Sequence, residues 1–309
     1  MRLTVAICTH EPDRALLRRV LAAVARELPS VAGAEALLVD NASKPALAAR
    51  DLGAAGEVRL VREPRPGLTA AREAAYAAAR GDVVVFCDDD TLLGEGYLAL
   101  TAGAFDRDPG LGVLGGRVLP EYESPPPGWT REFEPQLAIR RHPPDLFAET
   151  AAPPYSDRFP VGAGLAVRRD LALRHVADCR ATVRIEGRRG GELSAGEDID
   201  LALFALFAGC RIAVSGGLEL THVIPAARLE TGYLARLAAG SVESAARLEA
   251  KWAPRFGTPV FPFLARSLPS LAARTAVTSV LRHGSPRHAV KHARLRAQLR
   301  ARRAPVPAA

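Results

Sequence analysis

The stretch that most constrains this chain is Asp82-Val-Val-Val-Phe-Cys-Asp-Asp-Asp-Thr91, an apolar run that stops at three consecutive carboxylates. A short β-branched run bounded by Gly81 and by charges reads as a strand buried on both faces, as inside a parallel sheet. Asp88, Asp89 and Asp90 then stand at its carboxyl end, the edge of an open α/β sheet at which ligands bind. Adjacent carboxylates repel one another, and hard divalent ions such as Mg²⁺ or Mn²⁺ take oxygen ligands and bridge to phosphates. The plainer alternative is that Asp90 or Thr91 caps a helix beginning near Gly94, which needs only one such residue.

The rest of the N-terminal half supplies the sheet. Leu3 to Thr9 reads as a first strand, and Pro12-Asp13 starts a helix in which Leu16, Leu17, Val20, Leu21 and Val24 recur at helical spacing. Glu35 to Asn41 is a second strand, Val58 to Arg62 a third, and an Ala-rich helix follows from Gly67 to about Arg80. Strands alternating with helices imply right-handed parallel crossovers and a doubly wound α/β sheet. Thr9, Asp40, Asn41 and Ser43 all fall at carboxyl ends of strands, where they converge with Asp88 to Asp90 on one nucleoside-sized site. No GxGxxG follows the first strand and no GxxxxGK[ST] is present, so neither a dinucleotide fingerprint nor a P-loop is supported.

After a further apolar run, Gly112 to Val118, the regularity breaks. Residues 120–160 hold ten of the 24 prolines, are too long for a plain connection and read as a functional loop, in which Trp129, Phe133, Tyr155 and Phe159 either line a substrate groove or, as single aromatics in such loops more often do, anchor it. Val161 to Arg168 returns to a strand carrying Gly162 and Gly164. A glycine-rich stretch, residues 187–191, precedes a second acidic constellation, Gly196-Glu-Asp-Ile-Asp-Leu-Ala-Leu-Phe204, which opens an apolar helix. Acidic residues in a first turn complement the helix dipole, and two carboxylates beside a loop also suit a general base. Strands from Arg211 to Ser215 and from Leu218 to His222 follow, and His222 joins Asp90 as a candidate metal ligand.

The net charge of +7 conceals an asymmetry. Residues 251–309 contain 12 Lys and Arg and no Asp or Glu, which leaves 29 basic against 34 acidic residues in 1–250. Helices are expected over Leu229 to Trp252, from Pro262 to about His283, and from Pro286 to Arg303. No apolar run among them is long enough to span a bilayer. Phe261, Phe263, Leu264, Leu268, Leu271, Val277 and Leu281, with the basic tail, suit an amphipathic element at an anionic membrane surface. The alternative is a helix packed on the main body followed by a solvated basic tail. No aromatic residues interleave the basic cluster from Arg282 to Arg303, so nucleic acid is not an expected partner. Four widely spaced cysteines without a CxxC pair, and an N-terminus that enters a strand directly, suggest reduced thiols in the cytoplasm.

The order Val5-Ala-Ile-Cys-Thr-His10, Val39-Asp-Asn-Ala-Ser43, Pro66-Gly-Leu-Thr-Ala-Ala-Arg72, Gly81 to Asp90, Gly162-Ala-Gly-Leu165 and Gly196-Glu-Asp-Ile-Asp200 resembles a family 2 glycosyltransferase with the GT-A fold, across residues 1–250. The resemblance implies a GT-A catalytic domain over 1–225, with its nucleotide-sugar half at about 1–118 and its acceptor half at about 119–225. A helical extension with a basic amphipathic tail, 226–309, follows it. It implies a UDP-, GDP- or dTDP-sugar donor, Mn²⁺ or Mg²⁺, a glycan or lipid-linked acceptor, and inversion by direct displacement. Carried over by position, Thr9, Glu11, Asp40, Asn41, Arg72, Asp88 and Asp89 belong to the donor site, with Asp40 accepting from the base. Asp90 is the direct metal ligand, with Asp88 and His222 contributing. Asp198 is the catalytic base and Glu197 its supporting neighbour. One departure is His10-Glu11-Pro12, where the family often has Asn or Arg soon after the first Thr. Competing readings are a retaining transferase of the same fold making a small glycosylated solute, and a non-catalytic membrane- or nucleic-acid-binding protein working through its tail.

Overall fold

A computed structural model describes residues 1–48, 51, 58–185, 187, 193 and 195–303. Strand β1 (Leu3–Thr9) shows why the sheet is buried on both faces: Leu3, Val5 and Ile7 enter one core, while Ala6 and Cys8 enter the other. Parallel to it run β2 (Glu35–Asn41), β3 (Val58–Glu63) and β4 (Val83–Asp88), in the order β3-β2-β1-β4. The chain steps outward from β1 to β3 and then crosses back to β4. The crevice between the ends of β1 and β4 is therefore a topological switch point, where open α/β sheets bind ligands.

Helices close both faces. Helix α1 (Arg14–Glu27) buries Leu17, Val20, Leu21 and Val24 in the first core, and the Asp13 side chain caps it by accepting from Ala15 N at 2.8 Å and Leu16 N at 2.9 Å. Helix α2 (Leu68–Ala78) lies on the other face, where Ala71 and Ala75 let it approach the sheet closely. The acidic end of β4 turns directly into a short strand, β5 (Thr91–Leu93), and α3 (Tyr97–Arg107) begins only after Gly96. Neither Asp90 nor Thr91 is a helix cap, because both are consumed by the β4–β5 turn and β5 before the helix begins.

The second half of the sheet is mixed. Strand β6 (Leu111–Tyr122) runs beyond the expected Val118, β7 is Phe147–Thr150, and the strand expected over Val161 to Arg168 shrinks to β8 (Ala166–Arg168). The two strands expected near residues 211 and 218 are one, β9 (Arg211–Ile224), carried through the pair Gly216-Gly217 by a register shift against β6. From β4 the order continues β8-β6-β9-β5, with β7 on β9, and β8 is antiparallel to both β4 and β6. Of the four aromatics expected in a groove, Phe133 and Phe159 are core residues and Trp129 packs against the core. Only Tyr155 reaches the cleft.

Helices α4 (Arg169–Ala181) and α5 (Glu197–Phe207) complete the second face. Residues 188–191 of the glycine-rich stretch before α5 lie outside the described residues. The C-terminal part is helical: α6 (Thr231–Phe256), α7 (Leu268–Leu281) and α8 (Pro286–Arg303). Helix α6 shares both cores with the sheet, through Leu234 and Leu237 on one side and Val242, Leu248 and Trp252 on the other. The basic residues of 286–303 sit on an ordered helix that buries Val290, Leu295 and Ala297, not on a solvated tail. No helix among the described residues is long and apolar enough to cross a membrane.

Candidate active site

The strand ends open onto one cleft of about 590 Å³. Thr9, Asn41, Asp88, Asp89 and Asp90 line its sheet side, and Arg72, Glu197, Asp198 and His222 close around them. Two of the expected residues do not line it. Asp40 is 0% exposed, accepting from Ser43 N at 3.1 Å and Leu47 N at 2.9 Å and pairing with Arg62, so its charge shapes the loop after β2 from beneath. Glu11 is exposed, and its amide donates to Ser43 Oγ at 2.9 Å, which ties the loop after β1 to that same loop.

Asn41 works by stitching. Its Nδ2 donates to Arg65 O at 2.6 Å and its Oδ1 accepts from Gly67 N at 2.7 Å, fixing the turn that launches α2 and Arg72. His10 lines the cleft beside it, donating from Nδ1 to the Asn41 carbonyl at 2.7 Å. Thr9 donates to Asp89. Burial, and after it the neighbouring Asp90 carboxylate, pushes Asp89 up to about 7 even against that hydrogen bond.

Asp90 faces two nitrogen groups, Arg228 Nη1 at 2.9 Å and His222 Nε2 at 3.4 Å. The antiparallel pairing of β5 with β9 sets Thr91 opposite His222, which is how a residue 132 positions later in sequence meets Asp90. His222 Nδ1 donates to Leu137 O at 3.1 Å, so Nε2 keeps its lone pair and accepts from Arg228 Nη1 at 3.1 Å. Carboxylate oxygens are the donors that Mn²⁺ and Mg²⁺ prefer, and in this arrangement Arg228 is the cation that bridges Asp90 and His222.

Arg72 joins the two acidic constellations. It is buried with Nη1 3.2 Å from Glu197 Oε1 and Nη2 3.9 Å from Asp88 Oδ1, and its guanidinium lies 4.9 Å above the Phe86 ring. Burial works to lower its pKa, but Glu197 and then Asp88 outweigh it and hold the guanidinium charged. Gly162 makes room for this arrangement, since a Cβ there would stand 2.6 Å from Arg72 Nη2. The Gly162 amide also donates to Asp198 Oδ2 at 2.7 Å, while Asp198 Oδ1 accepts from Ile199 N at 2.8 Å. Glu197 and Asp198 are thus both first-turn residues of α5 and cleft residues.

A family model described as glycosyl transferase family 2 matches residues 4–175, more than half of the chain. This protein belongs to glycosyltransferase family 2. The transferase adopts the GT-A fold, an α/β architecture whose mixed sheet and C-terminal helices are described above. No curated protein matches the chain. The family match ends before α5, so it covers the Asp88 to Asp90 end of the transferase's cleft but not Asp198 or His222, which the tertiary structure brings there.

Behind α5 lies a second cluster of the transferase. Asp200, 1% exposed, accepts from His175 Nε2 at 2.8 Å, Lys251 Nζ at 2.8 Å and Trp252 Nε1 at 2.6 Å. Burial works to raise the Asp200 pKa, but the His175 hydrogen bond and the charges of His175 and Lys251 hold it below the usual carboxylate value. His175, Cys179 and Asp200 have metal-ligand types at metal-ligand spacing. The cation among them is already Lys251, whose Nζ is 3.5 Å from Cys179 Sγ, and burial followed by Asp200 pushes that thiol up to about 12. The bonds of Asp200 to His175, Lys251 and Trp252 tie α5 to α4 and α6.

Sequence reasoning missed several residues of the cleft. Arg228 and Arg140 carried no motif, and Phe261, Phe263 and Arg294 come from C-terminal segments whose helical pattern did not point to the site.

Proposed function

We propose that this glycosyltransferase moves a sugar from a nucleoside diphosphate donor to a hydroxyl of a glycan or lipid-linked acceptor, with inversion by direct displacement. The observation that carries the reading is Arg72, which bridges Glu197 of the α5 turn to Asp88 of the strand end and so sets a candidate base and a candidate diphosphate site in one cleft. Asp90, Asp88 and His222 would hold Mn²⁺ or Mg²⁺, which would neutralise charge developing on the leaving diphosphate. Thr9, His10 and Asn41 flank the nucleoside, with Asp40 and Glu11 acting on it through the loop that holds Ser43. Arg228, beside Asp90, supplies further positive charge toward the phosphates.

Asp198 takes the proton of the acceptor hydroxyl as its oxygen forms the bond to the anomeric carbon. The bond from that carbon to the phosphate oxygen breaks, and its electron pair leaves with the nucleoside diphosphate. The Gly162 amide keeps the Asp198 carboxylate oriented, and Glu197 keeps Arg72 in place. Arg140, Tyr155 and the Phe261 and Phe263 rings, which also line the cleft, form the acceptor side. Four cysteines that are all thiols fit a reducing compartment, and we place the enzyme in the cytoplasm at the inner face of a membrane.

The test is a thermal-shift panel of UDP, GDP, CMP and dTDP, each with and without Mn²⁺, on the wild-type chain and on Asp90→Ala. A ligand that binds only the folded protein raises Tm by mass action, by about 2.7 kcal/mol of stability at a hundred times Kd. One nucleotide is expected to shift Tm only with metal, and Asp90→Ala is expected to remove the shift. A folded protein that no nucleotide stabilises would sink the reading. The anomeric configuration of the product, read by NMR, then separates inversion from retention.

A further inference from the structure

We infer that the outer face of α7 is a docking surface for an anionic lipid bilayer. A helix on a soluble protein turns its apolar side to the core and its polar side to water. Helix α7 does the reverse. Its inner face buries Leu271 and Thr278, and Thr278 Oγ1 meets His292 Nδ1 of α8 at 3.1 Å. Its outer face carries two adjacent rows at i, i+4 spacing, Leu268-Ala272-Ala276-Val280 and Ala273-Val277-Leu281, all exposed. Val280 is 76% exposed and Val277 58%. These are the residues that a folded chain ordinarily hides.

Charge says what covers them. Residues 251–309 hold 12 basic side chains and no acidic one, and Arg266, Arg274 and Arg282, within and beside α7, are all exposed. Arg287 and Lys291 on α8 are paired with Glu132, at 2.5 and 2.8 Å, and so are occupied in holding the helical layer to the segment that ends at Leu137. An apolar stripe rimmed by arginines fits a surface whose interior is hydrocarbon and whose headgroups are anionic. A second copy of this chain does not fit, because a symmetric pairing of the same face would bring Arg274 and Arg282 against like charges with no carboxylate to offset them. The face lies on a bilayer and does not enter it as a span.

The same helical layer is a wall of the cleft. Phe263, just before α7, and Arg294 of α8 both line it, and the Arg294 guanidinium lies 5.9 Å over the Phe263 ring. Docking through α7 therefore holds the cleft near the lipid surface, which favours an acceptor carried on a membrane lipid. That last step rests on the transferase reading, whereas the docking does not.

The experiment is flotation of the full chain with phosphatidylcholine vesicles, with and without phosphatidylglycerol, for wild type, Val277→Glu/Val280→Glu and Arg274→Ser/Arg282→Ser. Both valines are on the surface, so Tm is expected to hold, and the arginine pair gives an independent variant should it fall. Wild type is expected to float with the anionic vesicles, and each double variant to lose binding by roughly tenfold or more. The inference is overturned if wild type stays unbound, if the valine variant binds as wild type does, or if wild type is a dimer in solution that the valine variant makes monomeric. The metal-dependent nucleotide shift, measured on the same samples, separates this failure from failure of the transferase reading.

Discussion

Two acidic clusters, one around Asp200 and one at Asp88 to Asp90, behave in opposite ways. Asp200 is sealed and met by a histidine, a lysine and a tryptophan, which overcome burial and hold its pKa below the usual value. Asp89 is met by a threonine hydroxyl and flanked by two more carboxylates, and its pKa is driven up to about 7, chiefly by burial. The difference is in the partners. A carboxylate surrounded by donors from the protein's own helices is a structural joint. The carboxylates gathered at the end of β4 are met by Arg228 and Arg72 but line an open cleft. Acidic residues in a sequence do not announce which of these they are, because the deciding donors come from elsewhere in the chain.

The comparison is sharpened by variants that should separate the two roles. The largest effect is expected from Asp198→Asn, which keeps the carboxylate's shape but removes the proton acceptor. Turnover should fall roughly a hundredfold to ten-thousandfold with nucleotide affinity held, and Tm should drop modestly because the new amide NH2 must face the Gly162 or the Ile199 N–H, as steady-state kinetics beside a thermal-shift titration would read. Undiminished turnover would remove Asp198 as the base.

Next comes Lys251→Met, which leaves Asp200 buried without its ammonium. Breaking one side of a buried pair costs roughly 3–5 kcal/mol, so denaturant unfolding should show a large loss of stability. Nucleotide affinity of the remaining folded protein should stay within a few-fold. A variant as stable as wild type that instead loses nucleotide binding would erase the contrast between the two clusters.

The smallest effect is in pH. Because the folded-state pKa of Asp200 is lowered, its contribution to stability is fully present above its unfolded value of about 3.9 and is lost as pH falls through the lower folded value. The stability gap between wild type and Asp200→Asn should therefore be level near neutrality and narrow on acidification below about pH 4. A gap that widens there would mean that Asp200 is not the ionised partner of Lys251.

Much of the donor side was legible in order. The motif ends Thr9, Asn41 and Asp88 to Asp90 lie on strands whose alternation could be read directly, and parallel strands put their carboxyl ends at one edge. Asp40 shares that pattern but faces inward, since the loop to Leu47 folds over it, and the local sequence of β2 carries no sign of that fold. Phe133 and Phe159 follow the anchoring alternative, because they are apolar first and the core took them. The C-terminal stretch was expected either as an amphipathic element at a membrane or as a helix packed on the body with a solvated basic tail. The basic residues of 286–303 lie on α8, which packs on the body, and the exposed apolar face lies on α7, within the stretch read as apolar.

The amino-acid sequence by itself determined the layered α/β architecture, the acidic strand end and the family. Periodicity and strand-end chemistry are local properties that survive without knowledge of partners. Tertiary structure alone decided that Arg228 and His222 stand beside Asp90, that Arg72 ties Glu197 to Asp88, and that Lys251 closes the Asp200 cluster. Each of these is a meeting of side chains far apart in sequence, set by an antiparallel register or by helix docking, and the free energy of such a contact depends on geometry that no single segment encodes.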